Sequence, residues 1–594
     1  MGRTSLFRQV RHWFELARLA ETRGWTAEEV IAARDAHRAV SRREMLQGVA
    51  GVLAVSAVVP ALAGCGKDSD ADAADAGGGG AGGGAGGEAG GAGGGGGSGG
   101  SRVAIIGAGI GGLHCAYRLR EAGLTPSIYD AWNRVGGRIF SLRGEYPEGL
   151  VAELGGELID TGHVTMHTLA EEFDIPLDDL FADEPPGLIR DSWYFGGRFL
   201  TEVEVVEAFQ TVAGKMLSTI LTVEPEDGPY NDNEFARIDA MSLRTYLDME
   251  IRAPEPINRI LTVAYTGEYG LELEEQSPWN LLWLIDAETP DPFRIFGDSD
   301  ERFHTRGGND LFIEKLAAGL AEPVKTEHRL TAIRKNADET FTLDFDNAGA
   351  PVQVEVDRVV FALPFNQLRK VTGLDAVLSA EKLEIVNGLG YGTNAKLMMG
   401  FGSRVWEVDH RRSGSMFSDT GGQTFWDSSR KQAGVNGILT NFVGGERGTA
   451  IGEGDAEAQA VAVVDELEPI FPGLRMRYTA GSARRMHWPT VPTVGGSYTC
   501  YLPGQAIWSG FEGEAEGSLH FCGEHTSVDA QGYMEGGAES GARVAGEILD
   551  ALQVAQPAGL VAILGQLEQG LTARSPRRRA LEPLRRMRMA LRLR

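Results

Sequence analysis

Residues 103–138 read VAIIGAGIGGLHCAYRLREAGLTPSIYDAWNRVGGR, and they leave this chain few choices of fold. The short apolar run 102–106 is the first strand of a parallel sheet. Gly107, Gly109 and Gly112 follow as GxGxxG. The first glycine allows a tight turn, the second lets a pyrophosphate approach the backbone, and the third lets a helix pack on the strand. The helix runs to Gly123, with its N-terminal amides facing the phosphates. A second strand ends at Asp130, where an acid accepts hydrogen bonds from a ribose. The glycines alone are a weak signal. Strand, glycines, helix, strand and acid in register specify a dinucleotide site and an α/β fold.

The extension past the acid says which dinucleotide. Arg134, Gly136, Gly137 and Arg138 complete an RxGGR element that resembles the flavin-containing amine oxidase family of monoamine and L-amino-acid oxidases. The resemblance implies FAD, with these glycines and arginines closing over its pyrophosphate. It also implies a Rossmann-like FAD-binding domain interleaved with a mixed α+β substrate domain, over about residues 102–552. The FAD-binding segments are 101–178, 301–389 and 488–552, and the substrate segments are 179–300 and 390–487. The first substrate segment reads as mostly helical. Within the FAD segments, Gly155, Gly156 and Glu157 match the stretch that passes near the flavin ring. Val324, on a strand over 323–325, matches a backbone contact to the adenine half. Glu524 would meet the ribityl or pyrophosphate region, and Met534 with Glu535 opens a helix whose amides face the flavin's pyrimidine edge. The alternating runs 340–345 and 352–356 predict a hairpin, and 359–363 a buried strand.

Four further matches carry the chemistry. Flavin oxidation of an amine needs a deprotonated amine, its α-C–H held over the flavin, and a dry cavity. Lys396 falls where the family's lysine holds a water beside flavin N5, and a lysine amid apolar residues is costly to bury without purpose. Trp488 stands nine residues before Ser497. At the Ser497 position monoamine oxidases carry the cysteine that bonds to the flavin. Serine cannot form that thioether, so the FAD is expected to be noncovalent, with Cys500 three residues out of register. Tyr498 and Tyr533 match the two rings that flank the amine path. Against these stand a solvent-pointing lysine and tyrosines that serve only as core.

The reaction implied is oxidation of an amine to an imine, then to aldehyde or ketone plus ammonia, with electrons passing to O2 to give hydrogen peroxide. An L-amino-acid oxidase is the alternative. Its substrate-clamping arginine is missing where Glu157 and Leu158 stand, and Arg294, Arg302 or Arg306 are the substitutes available. Glu157 either pairs with a distal ammonium of a diamine or is a solvated acid. A carotenoid or porphyrinogen desaturase shares the N-terminal unit but has no need of Lys396 with a tyrosine pair, nor has a non-catalytic flavoprotein.

The front of the chain reads as targeting rather than fold. Ser41-Arg42-Arg43-Glu44-Met45-Leu46 resembles a twin-arginine signal, followed by a soft apolar stretch over 49–62. Leu62-Ala63-Gly64-Cys65 resembles a bacterial lipobox, whose cysteine would carry a lipid anchor. The alternative is a plain signal peptide. Residues 1–40 are either a genuine extension or follow a misplaced start. Residues 66–100 form a Gly-rich linker, its stretch from 67 onward spanning about 30 Å as a coil. At the other end, residues 553–594 read as a basic amphipathic tail, either lying on anionic lipid or solubilising the chain. The formal charge of −27 argues against nucleic acid as a partner. Cys115, Cys500 and Cys522 are predicted to pack in separate elements, giving no disulfide framework and no zinc-type spacing. No metal is expected, and oligomeric state stays open.

Overall fold

The computed structural model describes residues 101–225 and 230–572. Strand Val103–Ile106, wholly buried, lies between Arg358–Phe361 and Ser127–Tyr129, and Leu519–Phe521 pairs on the far side of Arg358–Phe361. All three pairings are parallel. Parallel neighbours need crossovers, and helix Ile110–Glu121 supplies the first. Helix Met534–Ala551 packs across it through small residues: a Cβ on Gly541 would come within 2.3 Å of the Gly111 carbonyl oxygen. The two helix backbones can approach so closely only because neither carries a side chain there.

The predicted hairpin forms as Phe341–Asn347 against Ala350–Val356, with His328–Lys335 as a third antiparallel strand. No strand forms over residues 323–325. Lys325 alone bridges Tyr129.

The substrate unit is a seven-stranded sheet in the order Arg484–His487, Ala395–Phe401, Gly437–Val443, Gln423–Asp427, Arg412–Ser418, Ile189–Phe195, Arg198–Leu200. Its last two strands come from the segment expected to be mostly helical. Ile189–Phe195 pairs in parallel with Arg412–Ser418, and so joins the two substrate segments into one body. Its alternation is short and begins with exposed Arg190 and Asp191, which hides the period of two. The rest of that segment is helical as expected. Helix Glu202–Val223 opens with a capping box between Thr201 and Glu204 and buries Val205, Phe209, Val212, Met216, Ile220 and Val223 as one stripe.

The C-terminal segment departs from expectation in its first half. Residues 558–572 form helix Ala558–Thr572, whose Leu560 and Ile563 are buried in the core of the dinucleotide unit. That stretch belongs to the fold, because a helix with an apolar stripe gains more by docking than by trailing in water. The signal, lipobox and linker readings, and the arginine-rich end from Arg574, fall outside the described residues.

Candidate active site

A cavity of about 1210 Å³ runs from the glycine turn into the substrate unit. At its first end the three glycines do three separate jobs. Gly107, at φ +111°, sits where a Cβ would lie 2.4 Å from the Ala362 carbonyl oxygen. A Cβ on Gly112 would lie 2.0 Å from the Gly107 oxygen, so this glycine serves helix-on-strand packing. Gly109 faces the cavity with nothing within 4 Å of its would-be Cβ. Open space over a helix N-terminus is what a pyrophosphate requires. Asp130 lies on the same wall. Its carboxylate accepts the backbone N–H groups of Ala108 and Trp132, each at 2.7 Å, while burial pushes its pKa upward.

Arg138 spans the middle of the wall, donating to Glu524 at 3.0 Å and to the Ser497 carbonyl at 2.5 Å. Glu524 in turn accepts the Gly532 amide at 2.9 Å. Gly136, Gly137, Gly155 and Met534 also line the cavity. Gly155 admits no side chain, since its Cβ would fall 1.6 Å from the Arg138 carbonyl oxygen. Trp488 stands beside it and meets Trp132 edge-on at 6.4 Å.

Five predicted cofactor residues stand off the cavity wall. Gly112 and Gly156 act in packing, the latter against Met534. Arg134 is held between the rings of Trp132 and Phe140 at 4.1 and 4.0 Å and donates to the carbonyls of Val135 and Gly137. It shapes the glycine turn from behind, and burial lowers its pKa to about 10. Val324 is replaced on the wall by Leu330, with Arg329 and Thr331, from the strand that follows. Glu535 turns away from the cavity and accepts the amides of Thr165 and Met166, both at 2.8 Å, capping helix Val164–Glu172.

Lys396 lies on the fully buried strand Ala395–Phe401 and reaches the cavity. Its ammonium donates to the Gly155 carbonyl at 2.7 Å, to Glu157 at 2.8 Å and to the Glu153 carbonyl at 3.2 Å. Three donors are all an ammonium has, so a water held by Lys396 would have to displace one of these partners. Glu157 is therefore not a solvated acid, and its charge is already shared with Lys396. Burial alone would raise its carboxyl, but the Lys396 charge and hydrogen bond hold it below its ordinary value.

Tyr498 and Tyr533 both face the cavity. A Cβ on Gly532 would lie 3.4 Å from the Tyr498 ring, so this glycine keeps the space beside Tyr533 clear. The Tyr498 hydroxyl donates to the backbone carbonyl of Glu268. The Tyr533 hydroxyl lies 3.5 Å from the Glu268 carboxyl and 3.3 Å from the Ser299 hydroxyl. Ser497 donates to Asn394 at 2.6 Å on the same wall. Cys500 does not line the cavity; its buried sulfur accepts the Asn280 amide at 3.3 Å, and burial drives its thiol pKa up.

Sequence reasoning passed over the acids of this cavity. Glu268 and Glu301 line it; burial and then the Asp160 carboxylate push the Glu268 carboxyl up to about 7, while Glu301, exposed on the open wall, is pushed upward among the carboxylates around it. Glu301 holds a left-handed backbone at φ +45°, fixed by its amide donating to Asp160 at 2.8 Å. A signal for Glu268 does exist. In helix Ile257–Tyr269 it continues the stripe of Ile257, Leu261 and Ala264, where a charge has no business unless the site uses it. The proposed clamps, by contrast, are spent. Arg294 pairs with Asp286 and Asp298, Arg302 with Asp179, and Arg306 with Asp178.

A model of the flavin containing amine oxidoreductase family matches residues 110–549. The chain belongs to that family. An L-amino-acid oxidase of Siganus canaliculatus is 24% identical over 469 residues, covering 75% of this chain and 85% of that protein. The flavin-containing amine oxidase A of Sus scrofa is 21% identical, covering 76% and 85%. Among solved structures, cyclohexylamine oxidase from Brevibacterium oxydans IH-35A superposes with a TM-score of 0.65 at 20% identity, over 76% of this chain and 99% of its own. Putrescine oxidase bound to putrescine superposes at 0.63 and 19%, with the same coverage. This amine oxidoreductase is an FAD enzyme, and the open cradle at Gly109, the Asp130 carboxylate and the Arg138–Glu524 pair fit the cofactor's phosphates and ribose.

Proposed function

We propose that this flavoenzyme oxidises a substrate that enters as a cationic amine without a carboxylate. One observation carries the choice within the family: the arginines of the substrate end are already paired, while carboxylates stand open. Arg190 and Arg430 both hold Glu184, and Arg294 holds Asp286. Glu301 has no hydrogen-bond or ion-pair partner for its carboxylate among the described residues. A substrate carboxylate would find no unspent guanidinium there and would hold the neighbouring acids protonated, whereas an ammonium draws out their ionised form. The amino-acid reading keeps the support of relatives named L-amino-acid oxidases.

FAD, when bound, supplies the acceptor for the hydride of the substrate α-carbon. The rings of Tyr498 and Tyr533 flank the approach and favour an amine against their faces. The Lys396–Glu157 pair pins the 153–157 segment against which the cofactor lies. The product imine hydrolyses to aldehyde or ketone plus ammonia, and O2 or another acceptor removes the electrons. The flavin is held without a covalent bond, supported by serine at position 497 and by the burial of Cys500 away from the wall. Anaerobic bleaching of the yellow protein by amines, diamines and amino acids is the test. Bleaching by amino acids alone would overturn the choice of an amine without a carboxylate.

Export and anchoring are proposed from sequence. The twin-arginine element at Arg42-Arg43 and the lipobox cysteine Cys65 support a lipoprotein on the exported face of a membrane, tethered through the Gly-rich linker. Fractionation should place it with membranes, and Cys65→Ala should release it or leave it unprocessed. A cytoplasmic protein that keeps residues 1–64 would sink the reading.

A further inference from the structure

Flavin oxidation acts on a neutral amine, yet an alkylamine arrives at neutral pH as an ammonium, so a proton must leave its nitrogen inside the cavity. Resting on the amine-oxidising reading, we propose that Glu268 is the acceptor of that proton: its carboxylate pairs with the incoming ammonium, takes one proton from nitrogen, and leaves the neutral amine between Tyr498 and Tyr533. The N–H bond breaks, an O–H bond forms, and the electron pair stays on nitrogen. No oxidant is consumed in this step.

Three observations place the role on this residue. Glu268 is tied to both tyrosines, through its backbone carbonyl to Tyr498 and through its carboxyl to Tyr533, so acceptor and rings form one unit. The contact from Tyr533, at 3.5 Å, is long and is the sole hydrogen bond to the carboxylate among the described residues. The titratable groups that face it are Asp160, Glu301, Tyr265, Tyr498 and Tyr533, acids and phenols throughout, with His163 engaged behind Asp160 at 3.2 Å. His163, held toward its charged form, spends that charge on Asp160, and among the described residues no other cation is paired with Glu268, although a buried carboxylate without one is costly. The substrate supplies it. A carboxyl raised to about 7 is also matched to the task, being ionised enough to accept and basic enough to hold the proton.

The test uses holoenzyme, Glu268→Gln and Glu268→Asp, with tert-butylamine, which carries an ammonium but no α-hydrogen, and with one oxidisable amine. Binding of tert-butylamine is read from the flavin spectrum. In the unaltered protein its Kd should stay nearly flat from about pH 8 to pH 10, because the ionised acceptor admits the ammonium form. In the Gln variant Kd should improve about tenfold per pH unit over that range as free amine accumulates. Its kcat/KM for the oxidisable amine near neutral pH should fall about a hundredfold, with kcat at high pH retained within a few-fold. Asp should restore the flat profile. A Kd that follows free amine in the unaltered protein overturns the proposal, as does a Gln variant whose profile is unchanged or whose rate falls equally at every pH. Failure of every amine to bleach the unaltered flavin would instead remove the amine reading itself, which separates the two failures.

Discussion

Around Gly107 the cavity wall is backbone, and around Glu268 it is side chains. The cofactor end is made of places where a Cβ cannot go or must not go, such as Gly107, Gly109 and Gly155. It is rigid because main-chain atoms are in contact with main-chain atoms. The substrate end brings Glu268 from a helix and Glu301 from a loop to one chamber. The first kind of wall is intolerant of added atoms. The second tolerates volume and responds to protonation. One enzyme can therefore keep its cofactor grip while its substrate chamber is retuned.

The largest effect should come from adding one carbon to the backbone wall. Gly155→Ala puts a methyl group 1.6 Å from a carbonyl oxygen that cannot retreat. We expect a cost above about 4 kcal/mol and little flavin on any soluble product, read as the flavin-to-protein ratio. Gly109→Ala sharpens the contrast, since its methyl meets nothing. The apoprotein should melt at the parental temperature yet bind FAD poorly. Equal melting losses in both variants would show that the wall is not divided in this way.

Next in size is the pair that joins the two regions. Lys396→Met strands the buried Glu157 carboxylate and should cost about 3 kcal/mol in chemical denaturation. Adding Glu157→Gln should return most of that loss, because the expense lies in the unpaired charge. Flavin should stay bound in both. A double variant no better than the single would mean that Lys396 contributes through packing alone.

Glu535→Ala removes an acceptor from two helix amides and should cost about 1–2 kcal/mol, with normal flavin content. Loss of FAD from this variant would return Glu535 to the cofactor site.

The smallest effect tests charge in the chamber. The Glu301 carboxyl, exposed on the open wall among other carboxylates, is held above its ordinary value, so its ionisation opposes folding, weakly because water screens it. Its contribution is fully present below the unfolded pKa and is lost as pH rises through the raised folded one. Glu301→Gln should accordingly raise the melting temperature slightly, by about a degree, at pH 9 and hardly at pH 4. A larger gain at acid pH would reverse the sign and refute the assignment.

Legibility followed the same division. A glycine forced by backbone contact is visible in the sequence, so the turn, its helix, the acid and the hairpin at 341–356 could be read directly. Neighbouring residues within one motif were less well resolved. Met534 and Glu535 are adjacent, but a helix turns successive side chains by about 100°, sending one to the cavity and the other to a helix cap. Arg134 and Arg138 share a motif and differ likewise. Val324 was placed by resemblance, on a strand that does not form, and Leu330 of the following strand lines the cavity instead. The pairing of Lys396 with Glu157, 239 positions away along the chain, could not be read from either segment alone. Glu268 was hidden because a single acid in an apolar stripe is easily passed over when the helix around it looks ordinary.

The strand order of the parallel sheet has a consequence for how the enzyme comes into being. Val103–Ile106 is among the first parts of the folded body to be synthesised, yet Leu519–Phe521, which completes its sheet, comes more than four hundred residues later. Glu524 and the helix from Met534 follow later still. A nascent chain thus carries the glycine turn through most of its translation with no second jaw to close on a flavin. Closure on the cofactor waits for the end of synthesis, and chains that stop short of residue 519 are left with three of the four strands and an uncovered core.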